Sequence, residues 1–471
     1  MRQGVRTEVS IAASAVLDDL GQYDAADTEL DAAAHAALAS GHDEAATAAW
    51  IRRAALLGMR RGRAAEADEL LARAEVWLQR LGRPTVLAVE RLRTLGELAL
   101  AAGDPAGARA ALERALAESA ALAEIDPIDD DELALLHHGL AAAAQALGDL
   151  DEAERHARDA LARLEARVGP DHPNVARARA SLATVLRMQG DAVEARSLLR
   201  SSLAIVTAAH GDRQPVVGEV LLNLAVAELD LGEHADALDH LERAEEIVVR
   251  DLGPSHPLLA KLVALRGDAL LGAGRPRDAV TSLERARTML VELHAGPHPE
   301  LAIVDSNLGV AHADLGELDR AAACHLRALD GLERTLGPTH PDLAVALVAL
   351  GQVRRSQGRI DDAVALHHRA IELAPPPFAP YASARLGELL VAEGRTDEGV
   401  RRLEAARPAL AAFDVDPRLV ADLELSLADA RWSLGRHADA RAAATDAEAR
   451  LGGVEGAGAV AQRWLAEHAA P

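Results

Sequence analysis

The chain has 471 residues, of which 49% are apolar and only 2% aromatic, and it carries a net charge of −24. That acidity excludes a general affinity for nucleic acid, whose phosphates bind through clustered Lys and Arg. A single cysteine, Cys324, excludes an intrachain disulfide and a CxxC metal or redox pair. There is no signal peptide and no run of 18 uninterrupted apolar residues, so no membrane partner is expected and a cytoplasmic location is. Of the 50 basic residues one alone, Lys261, is lysine, which together with abundant alanine reads as GC-rich bacterial coding. No glycine-rich turn precedes Lys261, so it is not part of a phosphate-binding P-loop.

Length alone would suggest about three globular domains. A repeat overrides that expectation. Glycine followed five residues later by alanine recurs as Gly21/Ala26, Gly62/Ala67, Gly103/Ala108, Gly148/Ala153, Gly190/Ala195 and Gly232/Ala237. It continues as Gly274/Ala279, Gly316/Ala321, Gly358/Ala363, Gly394 with Gly399 in the alanine slot, and Gly435/Ala440. In phase with it, His172-Pro173, Gln214-Pro215, His256-Pro257, His298-Pro299 and His340-Pro341 stand 42 residues apart. A fixed period of this size means one structural unit copied along the chain, each copy burying the face its neighbour exposes.

Residues 173–211 illustrate one copy. Pro173 opens a helix where its missing N–H costs nothing, and Val175, Leu182, Val185 and Leu186 follow at helical spacing. Gly190 ends that helix in the left-handed conformation. Asp191 is placed to cap a second helix carrying Ala195, Leu198, Leu199, Leu203 and Ile205. Each copy is therefore a helix–turn–helix hairpin, and the small residue after the turn lets its helices approach closely. The register lengthens between Gly103 and Gly148, where the acidic run 124–132 suits helix capping better than calcium, and it shortens at Pro375–Pro380. The expected organisation is an array of about nine repeats over 1–374, two further repeats over 381–451 after a Pro-rich break, and a capping helix and C-terminal tail over 452–471, the helix running from Val454 to Ala470 with Trp464 and Leu465 inward.

The glycine–alanine signature, with Asn-Leu-Ala at 223–225 and Asn-Leu-Gly at 307–309, resembles the tetratricopeptide repeat. The 42-residue period with Gly-Pro-x-His-Pro junctions is similar to the longer variant of kinesin light chains. The resemblance implies an all-α, right-handed superhelical solenoid of about eleven hairpins, some 23 helices in all, with a C-terminal cap. It also implies that the first helix of each hairpin lines a concave face along which extended peptides lie. Asparagine nine residues before the turn glycine holds the peptide backbone in that family. The equivalent positions here are Ser181, Asn223, Leu265, Asn307 and Ala349, of which Asn223 and Asn307 match. Ser181 supplies a hydroxyl, and Arg187, Gln352 and Arg355 are expected beside them as groups that recognise carboxylates.

No chemistry competes with that reading in the sequence. HExxH, GxSxG and the kinase signatures are absent. The recurring histidines occupy equivalent places in hairpins about 8–10 Å apart, too far to share one ion, and are expected to hold helix starts. No catalytic residue, metal or cofactor is therefore expected. The expected function is a non-catalytic scaffold that binds a protein or peptide in its groove. Two alternatives stand beside it. Arrays with His-Pro junctions resemble C-terminal regions of bacterial eukaryotic-like Ser/Thr protein kinases. The chain begins inside a first helix, so a detached sensor region of such a kinase, with that kinase or its pathway as partner, is one; a transport or assembly adaptor is the other.

Overall fold

A computed structural model describes residues 2–19, 22–81, 85–123, 127–294, 296–376, 378–412, 417–451 and 459–468. Among them every long regular element is helical, and the chain divides into two compact units, Met1–Glu233 and His234–Pro471. The first unit holds α1 (Arg2–Asp19), α2 (Tyr23–Ala39), α3 (Asp43–Ala55, continued by a π-helical stretch Leu56–Arg60), α4 (Ala64–Leu81), α5 (Val86–Ala101), α6 (Pro105–Leu122), α7 (Asp130–Leu147), α8 (Leu150–Val168), α9 (Pro173–Met188), α10 (Ala192–His210) and α11 (Pro215–Asp230). Its consecutive helices pair as hairpins α1/α2 through α9/α10, and each hairpin packs on the next.

The second unit holds α12 (His234–Asp251), α13 (Pro257–Gly272), α14 (Pro276–Leu293), α15 (Pro299–Asp314), α16 (Leu318–Leu336), α17 (Leu343–Ser356), α18 (Ile360–Leu373), α19 (Ala379–Ala392), α20 (Thr396–Ala412), α21 (Pro417–Ser433), α22 (His437–Leu451) and α23 (Ala459–Glu467). Here the hairpins run from α13/α14 to α21/α22, and α23 packs on α22. This is the helix–turn–helix solenoid architecture that the 42-residue period predicts.

The local causes are visible copy by copy. Gly148 and Gly190 stand at φ +81° and +92°, a conformation that costs an L side chain about 1–2 kcal/mol. Asp104, Asp149 and Asp191 then cap the second helices by accepting from the backbone N–H three residues on, at 2.9, 3.4 and 3.0 Å. The alanine five residues past each turn is fully buried in every copy that has one. At Gly399 the reason for the missing methyl is explicit, because a Cβ there would meet the Gly387 carbonyl oxygen at 2.6 Å. Neighbouring hairpins are also tied by side chains at matching places. Gln189 donates to Asp151 at 3.4 Å in the first unit, and Gln357, four periods later, donates to the matching Asp319 at 2.8 Å in the second.

The interruptions behave as local chemistry requires. Of the acidic run, 124–126 lie outside the described residues; Asp129 caps α7 by accepting from the Glu132 N–H at 2.9 Å, and Asp130 pairs with Arg163 at 2.9 Å. At the Pro-rich segment, where Pro377 is outside the described residues, one hydrophobic cluster runs from Ala370 and Leu373 to Phe378, Tyr381 and Ala382. Gly21 and residues 452–458 and 469–471 likewise lie outside the described residues, and the described part of the final helix is Ala459–Glu467. Trp464 is buried there, donating its indole N–H to Asp429 at 2.5 Å and meeting Trp432 edge-on at 5.9 Å, with Leu465 packed beside it. No helix among the described residues is long and apolar enough to cross a membrane.

Candidate functional site

The hairpin packing leaves one face of each first helix uncovered by its own partner. In the first unit this face brings Ser181 of α9 and Asn223 of α11 to one pocket of about 340 Å³, lined also by Arg177, Thr184, His210 and Glu219. Ser181 donates to the Arg177 carbonyl at 3.2 Å, whereas the half-buried Asn223 amide has no hydrogen-bond partner among the described residues. Arg187 does not join them as a free cation. It donates to Asp230 at 3.1 Å and so links α9 to α11 within the unit.

In the second unit α15 buries Ala302, Val304, Asp305, Leu308, Gly309, Ala311 and His312. The remaining stripe is Ile303, Asn307 and Val310, at one helical turn's spacing each. Ile303 is 60% exposed and Val310 40%, while Asn307 between them is half-buried with no hydrogen-bond partner among the described residues. On α17, which packs beside α15, Val345 is 56% exposed and occupies the place of Ile303 one period on. Gln352 and Arg355 are exposed further along α17, and neither has a hydrogen-bond or ion-pair partner among the described residues. This face therefore combines apolar side chains left in water with an unpartnered amide. The sequence pointed to Asn307, Gln352 and Arg355; Ile303, Val310 and Val345 were missed, because a lone aliphatic residue in a helix reads as core until its burial is known.

A second cluster is built around a buried, ion-paired carboxylate. Asp305 is buried and accepts from Arg287 Nε at 2.9 Å and from Arg327 Nε and Nη2 at 3.0 and 2.6 Å. Arg327 also contacts the Cys324 sulfur at 3.2 Å, and burial pushes that thiol up, so it is poorly suited to act as a nucleophile. These groups line pockets of about 590 and 490 Å³, with Arg287 Nε and Arg327 Nε and Nη2 directed at Asp305.

Three sets of histidines share a recognisable role or geometry. His172, His256, His298 and His340 accept through Nδ1 from the backbone N–H two residues on, at 3.1–3.3 Å, while Gln214 in the same slot makes no side-chain cap. His325 and His367 are buried between the helices of their hairpins, and burial holds both down at about 4. The third set joins His137 of α7 to His156 of α8, whose Nδ1 atoms lie 2.9 Å apart with Asp159 alongside. Burial lowers the pKa of both rings. Sequence spacing does not show this pair, because 19 residues and a turn separate its members.

Comparison with known proteins agrees with this architecture. Three family models described as Tetratricopeptide repeat match the chain, one at residues 131–208, 216–290 and 300–375, a second at 348–408 and a third at 90–114. No curated protein matches at the sequence level. Among solved structures, the apo form of RapI is 12% identical with a TM-score of 0.54, covering 80% of this chain and 98% of its own. BtubC (BKLC) from P. vanneervenii is 24% identical with a TM-score of 0.42, covering 50% of this chain and 92% of its own. A putative kinesin light chain from Podosopora anserina with nearly identical TPR-like repeats is 22% identical with a TM-score of 0.37, covering 42% and 95%. With matches spread over more than half its length and hairpins to correspond, the chain belongs to the tetratricopeptide repeat family.

Proposed function

We propose that the protein is a non-catalytic scaffold that binds an extended peptide segment of a protein partner across the uncovered faces of α15 and α17. The observation that supports this most is the half-buried, unpartnered Asn307 amide set between exposed Ile303 and Val310, with Val345 beside them. An asparagine amide donates to a peptide carbonyl and accepts from a peptide N–H, so it recognises backbone regardless of sequence. The three aliphatic side chains select apolar residues on the peptide, and Arg355 selects a carboxylate. Asn223, with Ser181, offers a similar group in the first unit.

The test is a peptide array probed with the full chain, followed by affinity measurement on the enriched peptides. Asn307→Ala, Ile303→Asp and Val345→Asp should each weaken binding about tenfold or more, equivalent to about 1.4 kcal/mol. Enriched peptides that bind all three variants as tightly as the wild type would move the site off this face.

A further inference from the structure

We propose that the α7/α8 hairpin carries a binding site for a divalent transition-metal ion of the zinc class, formed by Nδ1 of His137, Nδ1 of His156 and the carboxylate of Asp159. The two nitrogens face each other at 2.9 Å, and Asp159 Oδ2 lies 3.9 Å from His137 Nδ1. All three ligand atoms fall within 4.8 Å of one another. Nitrogens bound to one tetrahedral zinc at about 2.0–2.1 Å stand about 3.3 Å apart. The rings therefore need to part by roughly half an ångström, and the exposed Asp159 side chain, 3.9 Å from His137 Nδ1 and within 4.8 Å of His156 Nδ1, to swing in towards both.

The scaffold is suited to such a site. His156 and Asp159 are three residues apart and share one face of α8, and the packing of α7 on α8 sets His137 opposite them. Ligands on packed helices are held more firmly than ligands on loops.

The protons balance without loss. In the empty site one ring donates its Nδ1 proton to the other. With an ion bound, both rings present Nδ1 to it and carry their proton on Nε2, so one ring changes tautomer and none is released. The His156 Nε2 proton then faces Glu152 Oε1, now 3.7 Å away, as an outer carboxylate that orients the ring. Two nitrogens and one oxygen suit zinc, cobalt, nickel or copper rather than calcium or magnesium. Three protein ligands leave a fourth position for water.

The His294/His298/Glu300 group differs in kind. Its rings stack face to face at 3.6 Å and 5°, and His298 Nδ1 already accepts the Glu300 N–H. It therefore serves as the control.

The experiment is titration of the full chain with Co²⁺, read by its visible ligand-field bands, followed by displacement with Zn²⁺. The expected result is one tetrahedral site in the wild type and in His298→Asn, affinity reduced about tenfold or more in Asp159→Asn, and no bands in His156→Asn. Because Asp159 is exposed, its variant keeps the fold and should also show a smaller rise in melting temperature with Zn²⁺ than the wild type. No tetrahedral bands in the wild type, equal binding in Asp159→Asn, or bands lost in His298→Asn would each overturn the proposal.

Discussion

Gly309 on α15 lies beneath the imidazole of His325 on α16, so closely that a methyl group on the glycine would stand 2.5 Å from two ring atoms. The same fit recurs at Gly351/His367, with a nearest approach of 2.9 Å, and at Gly267/Leu283, at 2.5 Å. In each copy the glycine leaves a hole that a large side chain fills from the second helix, 16 residues on. Gly309→Ala is therefore expected to destabilise the second unit by about 1–3 kcal/mol. His325→Ala in the same background should recover part of that loss. Urea unfolding followed by circular dichroism measures both.

The same burial makes the second unit sensitive to acid. His325 and His367 fall from 6.5 to about 4 on folding, and Nδ1 of each has no hydrogen-bond partner among the described residues. Between these two values the unfolded chain binds more protons than the folded one, so stability rises with pH there. It is fully present above about pH 6.5 and is lost as pH falls towards 4, each tenfold difference in proton affinity being worth about 1.4 kcal/mol. Melting temperature should therefore fall over that window. His325→Leu/His367→Leu, which copies the leucine of the Gly267 repeat, should flatten the fall, and an unchanged profile would refute this cause.

Arg407 Nε donates to Glu424 Oε1 at 2.6 Å, tying α20 to α21 around a carboxylate that is fully buried. Burial raises the pKa of Glu424, and Arg407 is its hydrogen-bonded counter-ion. Arg407→Met should cost about 3 kcal/mol by leaving that carboxylate uncompensated. Adding Glu424→Leu should restore much of the loss. A double-mutant cycle on thermal unfolding separates the pair from its surroundings.

Cys324 is buried on α16 with a raised thiol pKa. It should label with a thiol reagent only when that hairpin opens. Labelling slow in buffer and accelerated in Gly309→Ala is the expected result, read by mass spectrometry. Rapid labelling of the wild type would contradict the buried thiol.

At the helix starts, His256 accepts the Leu258 N–H at 3.2 Å, while Gln214 caps nothing with its side chain. His256→Ala should lower stability by about 1 kcal/mol, whereas Gln214→Ala should be near neutral. Comparing the two melting curves checks the role assigned to the repeated histidines.

Much of this molecule is legible along the chain because its determinants are local. A glycine at positive φ, an aspartate one residue later and an alanine four beyond that act within a single hairpin, so Gly190, Asp191 and Ala195 announce their roles by spacing alone. Repetition multiplies that signal and fixes the stacking of hairpins. What tertiary structure alone decided depends on which groups are already occupied. Arg187 and Asn223 look alike as candidates in sequence, but Asp230 takes the first and nothing among the described residues takes the second. Ile303 and Leu308 are both aliphatic residues of one helix, yet only packing against neighbouring helices leaves Ile303 in water and buries Leu308. His137 and His156 meet only because α7 folds back on α8. Periodicity dictates backbone and burial face by face; which polar atoms remain without a partner is set by contacts between residues that the sequence holds far apart.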